Sequence, residues 1–239
     1  MNPKEVNERL TQYVRPLTFP LAVKLITSDE ELPERVRIPS VNLGIRIPLC
    51  QGVGMARRQG WVVALGRDDI NCAGPALALG FVKPDEITSP PPGFDPQSMA
   101  PRLEFGKYRY ILFAPLQYTT FEPDALALYG NSAQIMRLVQ AAGRNSNAIA
   151  TGGGDCIEIA TAGDDERTRV VLVGGGDRVY GTAQDDEMIF TSPWGKVEEV
   201  LNGLEMTHKA GFRYPVITYN SYEPVLPPFL NLRKMMGQD

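Results

Sequence analysis

The chain has 239 residues, of which 43% are hydrophobic and 22% charged, with a formal net charge of -4. That length suits one large domain or two small ones and can bury a sizeable core. The acidic balance and scattered basic residues argue against nucleic-acid binding, which needs a clustered cationic surface. No apolar stretch approaches the roughly 20 residues that span a bilayer. The opening segment "MNPKEVNERLTQYV" lacks the apolar core of a signal peptide, so a cytoplasmic location without a membrane partner is expected. The three cysteines are widely spaced and odd in number, which makes them free thiols or ligands rather than a disulfide framework.

Pro3 to Val14 has the spacing of a short amphipathic helix, with Val6 and Leu10 on one face. Leu21 to Ile26 suits a strand, and residues 29–48 are loop-like. Leu49 to Gly60 is expected to be helical, entered at Pro48 and stopped at Gly60. Gly52 and Gly54 weaken this helix, which implies that something approaches it closely. Trp61 to Gly66 is a strand. Cys72 then falls in a loop just before a short helix, with Pro75 expected at the first helical position. Ser89 to Pro101, "SPPPGFDPQSMAP", carries five prolines and is the clearest break, a linker or a long loop. Strands are expected at Lys107–Leu116 and Asp124–Gly130, and a helix at Asn131–Gly143, capped by Asn131 or Ser132. Beyond it, strands are read at Cys156–Ala160, Arg169–Val173, Val179–Thr182 and Glu187–Thr191. A helix is read from Pro193 to about Lys209, then an extended tail.

A weak internal echo appears. Strand, glycine-terminated helix and an aspartate-preceded cysteine occur around Gly60–Cys72 and again around Gly143–Cys156. The expected fold is α+β (mixed α/β), and the echo, if structural, divides it in two. Two related halves, about 15–88 and 102–210, would then pack as one unit around the proline-rich loop 89–101. Cys72 and Cys156 would face a shared cleft.

The cysteines carry the candidate chemistry. Cys50 opens a helix, where the dipole favours thiolate. Cys72 precedes a turn, and Cys156 follows three glycines. Three thiolates at loop or helix starts can hold an iron–sulfur cluster with one open iron, although no C-x-x-C pair supports this locally. The competing reading is that all three are small core hydrophobes. A structural zinc site fits less well, since four ligands are usual. "TGGGDC" and "VGGGDR" are read as tight turns between strand-like segments, with at least one φ > 0 in each. Alternatively their amides form an anion nest at Gly153, Gly154 and Gly175, with Arg178 beside it. His208 is the one histidine and sits at a helix end, a capping place that also makes it a ligand-binding candidate. The acidic pairs Asp68-Asp69 and Asp185-Asp186 are residue types for metal or acid–base work, and more often those of solvated turns.

The stretches "RPLTFPLAVKL", "NCAGPALALGF", "GGGDRVYGTAQDDEMIF" and "LEMTHKAGFRYP" together resemble domain of unknown function family 169, from about Arg15 to Pro224. The resemblance implies a cytoplasmic α+β protein of prokaryotes, frequent in anaerobes, with recurring cysteines at Cys50, Cys72 and Cys156. This chain departs at Gly130 and in the "GGGDR" turn, where some relatives carry a further cysteine. The resemblance brings no activity. The combined expectation is a redox cofactor, an iron–sulfur cluster with an open site, or a small anionic ligand held in a cysteine-lined cleft. A redox partner protein and homo-oligomer formation accompany that reading. The alternative is a non-catalytic binding or assembly protein.

Overall fold

A computed structural model describes residues 1–90, 92–143, 149–151, 154–164, 166–215 and 234–237. Asn2 caps the first helix, α1 (Pro3–Tyr13), by accepting from the Lys4 N–H, and Pro3 fills the first helical position, where no amide bond is lost. Strand β1 (Leu21–Thr27) follows, then a loop with one helical turn, α2 (Pro39–Asn42). Helix α3 (Leu49–Gln59) starts after Pro48 and stops at Gly60, which is left-handed at φ 75°. Strand β2 (Val63–Gly66) leads through a turn to α4 (Ala73–Ala78). The proline-rich segment holds only a short 3₁₀ turn, Pro96–Ser98.

Strands β3 (Tyr108–Pro115) and β4 (Ala125–Asn131) come next. Helix α5 (Ser132–Ala142) begins at a capping box. The Asn131 side chain accepts from the Ala133 and Gln134 amides, and Gln134 accepts in return from the Asn131 N–H. Then follow β5 (Ile149–Thr151), α6 (Asp155–Ala160), β6 (Arg169–Leu172), α7 (Gly175–Val179), β7 (Glu187–Pro193) and α8 (Val197–Lys209).

The seven strands form one sheet in the order β2-β3-β1-β4-β7-β6-β5. Each neighbouring pair is antiparallel except β5 with β6. Strand β3, which follows the proline-rich segment, lies between β1 and β2, which precede it. Alternation along the strands sorts side chains to two faces. Leu21, Val23, Val63, Leu65, Ile111, Phe113, Ala127 and Ile189 point to a face shared with residues of α3, α4 and α6. Ala22, Leu126, Leu128 and Phe190 point to the other, under α1, α5 and α8. At the β2–β3 end of that second face, Ala64, Leu112 and Ile26 meet loop residues Leu32, Val36 and Ile38. The architecture is the expected α+β class. No helix among the described residues is long and apolar enough to cross a membrane.

Two expected strands are helices instead. Residues 156–160 lie in α6, and Val179 ends α7. A short apolar run such as "CIEIA" does not reveal its period, and here all six residues of α6 are buried. Local polar bonds decide the outcome. Gly154 turns the chain at φ 81°, and the Asp155 carboxylate accepts from the Cys156 N–H. Glu158 is 3% exposed and pairs with Arg102 and Arg169, a long-range compensation that the local sequence does not show.

Candidate functional site

The three cysteines stand at the starts of three helices. Cys50 is the second residue of α3, Cys72 is the residue that caps α4, and Cys156 is the second residue of α6. All three are free thiols, and all three line one cavity of about 590 Å³. Its other walls include Ile47, Pro48, Gln51, Asn71, Gly176 and Tyr180. Cys72 and Cys156 thus face one shared cavity, and Cys50 faces it too. The Cys72 Sγ accepts from the Leu49 N–H at 3.3 Å, so the cap of α4 also satisfies the first amide of α3. Pro75 lies third in α4 rather than first; with no amide to lose, it is tolerated anywhere in the first turn.

Close packing brings α3 to this cavity. A Cβ on Gly54 would come within 2.7 Å of the Gly181 carbonyl oxygen, so only glycine lets the helix lie against that segment. On the same helix, Arg57 is fully buried and forks onto both Glu187 oxygens at 3.1 Å. Its guanidinium also reaches the Gly181 carbonyl and lies 3.9 Å from the centre of the Tyr129 ring. The Tyr129 hydroxyl donates to Asp177 at 2.6 Å.

Electrostatics behind the cavity run against free thiolate. Burial pushes the Cys50 thiol up to about 12, and the nearby Asp177, Cys72 and Asp155 push the same way. Burial and Asp155 raise Cys156 further, and burial raises Cys72. The expectation that the start of α3 favours a Cys50 thiolate thus fails in the free protein, because desolvation outweighs the helix terminus. Burial also lifts Asp177 to about 6, partly opposed by the Tyr129 hydroxyl, and Asp155 adds to the rise. Among the described residues no group of three or more His, Cys, Asp or Glu side chains is placed to hold a metal ion.

The glycine turns differ from expectation. Each "GGGD" leads into a helix, α6 or α7. Gly154 has positive φ, but Gly174 is extended at φ -85° and Gly175 and Gly176 are the first two residues of α7. Gly152 and Gly153 lie outside the described residues. The Asp155 carboxylate accepts from the Gly174 N–H at 2.7 Å, so one turn ties down the other. Of the remaining candidates, Gly175 and Arg178 are exposed, and Arg178 pairs with Asp185. Gly176, which was not singled out, is the glycine that meets the cavity. His208 sits in the last turn of α8, its ring 5.2 Å from that of Tyr13, on the opposite face of the sheet from the cysteines. Asp69 is a buried turn residue accepting from the Ser40 and Gly66 amides.

Sequence reasoning missed Asp155, Asp177, Tyr129, Arg57 and Glu187. The one available signal was the aspartate repeated after each glycine triplet.

No solved structure matches this chain significantly. It is similar to the uncharacterized protein MJ0308 of Methanocaldococcus jannaschii, at 24% identity over 205 residues, 77% of this chain and 86% of that protein. The DUF169 family, described as uncharacterised ArCR, matches residues 9–203, and the chain belongs to that family.

Proposed function

We propose that the protein binds an iron–sulfur cluster through Cys50, Cys72 and Cys156, leaving one iron open to a small ligand. The observation that carries the reading is the convergence of all three cysteines of the chain on one cavity from positions 50, 72 and 156. The irons of a cluster are separate atoms, so its thiolates do not need to meet at one point as the ligands of a single ion do. A cavity of about 590 Å³ leaves room beside such a group for a second molecule. The raised thiol pKa values agree with this role, because metal supplies the charge that makes a buried thiolate tolerable. A bound cluster would supply electron transfer or Lewis-acid activation at its open iron. Gln51, Asn71 and Tyr180 line the same cavity and would contact the ligand.

Anaerobic purification, followed by reconstitution with ferrous iron and sulfide, tests this. The expected result is a brown protein with broad absorbance near roughly 400 nm. Iron and sulfide would be present in matching amounts, and both lost in Cys72→Ser. A reconstituted protein that stays colourless and iron-free, with all three thiols reduced, overturns the proposal. It would favour a binding or assembly protein in which Cys50 and Cys156 serve as core residues.

A further inference from the structure

A second cavity, of about 710 Å³, opens at the other end of α3. Its lining includes Glu34, Arg35, Arg37, Trp61, Tyr118 and Phe121. Helix α3 has 11 residues, which at 1.5 Å each puts Gly60 about 16 Å from the cysteine end. We propose that this cavity is a binding site for a mononucleotide, a flat base joined to a phosphate.

Three observations carry the proposal. The first is a pair of exposed arginines in a chain of net charge -4: among the described residues no carboxylate forms an ion pair with Arg35 or Arg37, and Glu34 is the one acidic residue in the cavity wall. Guanidinium forks match phosphate oxygens two at a time. The second is the aromatic wall. The Arg37 guanidinium carbon lies 3.7 Å from the centre of the Trp61 ring, a cation–π contact that restrains it at the cavity wall. Tyr118, on the same cavity wall, is 56% exposed; its ring meets Phe19 at 6.0 Å between centres and keeps exposed surface on which a base can stack. The third is strain. Arg35 holds φ 62°, a conformation that non-glycine residues rarely adopt and that tends to persist where function uses it. The loop residues Leu32, Val36 and Ile38, with Val62 and Phe121, pack on Ala64 and Leu112 of the sheet, so the segments that wall the cavity are anchored on the fold.

The test uses the full chain. Titration with AMP is followed by calorimetry on the unmodified protein and by Trp61 emission in Trp194→Phe, which leaves Trp61 as the lone tryptophan. Adenosine and inorganic phosphate serve as part-ligands. AMP is expected to bind with saturation and quench Trp61, with adenosine at least about tenfold weaker, the size of one lost charge-assisted contact. Arg35→Gly relieves the positive φ while removing the guanidinium. It should therefore keep its circular dichroism spectrum and weaken AMP about tenfold without changing adenosine. Arg37→Ala should do the same. Cys72→Ser should bind AMP unchanged, which separates this site from the cysteine cavity. Calorimetric silence with AMP, adenosine as tight as AMP, or parental AMP affinity in both arginine variants overturns the proposal.

Discussion

Cys72 is the only one of the three thiols that is not buried, and it is held by a single amide from the neighbouring helix. Thiolate is the reactive form, and burial suppresses it most at Cys50 and Cys156. In the metal-free protein, alkylation at pH 8 followed by mass spectrometry should therefore label Cys72 first. The other two should react only on unfolding; equal labelling of all three would contradict the burial described here. Asp177 supplies a second expectation. Its folded value of about 6 lies above the ordinary 3.8, so the folded state holds the proton more tightly. The stabilisation from this group is complete below pH 4 and is lost as pH rises through 6. Asp177→Asn keeps an acceptor for the Tyr129 hydroxyl and removes the titration. Denaturation at several pH values should show the variant gaining on the parent between pH 4 and pH 7, by on the order of 3 kcal/mol. The place of Cys72 was legible because Pro75 and the aspartates mark a turn locally. The partners of Asp177 were not, since Tyr129 is 48 residues away and joins it only through β4.

Among the elements, α3 brings Cys50 and Gln51 to the cysteine cavity, and two further residues show how it is held in place. Gly54→Ala would push a methyl against the Gly181 carbonyl, backbone on backbone, where neither side can yield cheaply. A loss of about 1–3 kcal/mol is expected from urea unfolding. Arg57→Ala would leave the buried Glu187 carboxylate with Arg58 at 3.3 Å and the Gln184 amide at 2.8 Å, and a loss of about 3–5 kcal/mol is expected from the same measurement. Helices α1, α3, α5 and α8 were readable because each is long enough to show its apolar face and most carry a cap in sequence. The short helices α6 and α7 were not. With six and five residues, their helical state depends on Asp155 bridging two turns and on Arg102 and Arg169 reaching Glu158, contacts made across the fold.

Across the molecule, the cysteine cavity gathers α3, α4 and α6, elements separated by as many as 106 residues between Cys50 and Cys156. Any group bound by all three thiols is bound by the folded state alone. Loading should therefore raise the unfolding temperature, by more than about 4 °C if binding adds 2 kcal/mol or more to a chain of this size. Calorimetric scans of loaded and metal-free protein check this. The sheet itself also has two ends. β2 carries four residues and β5 three, so the outermost ladders are brief. The outer rim of β2 is engaged besides: Arg37 donates its amide to Val62 and accepts from Ala64. A sheet rim with free amides is a template on which another chain can add a strand, and natural sheets guard against it with short or covered rims. The strand-like pairing at Arg37 thus shields the molecule from stacking rim to rim into fibrous aggregates. Cutting the chain within the 33–38 loop would expose that template and loosen the cover over Ala64 and Leu112 on the same face.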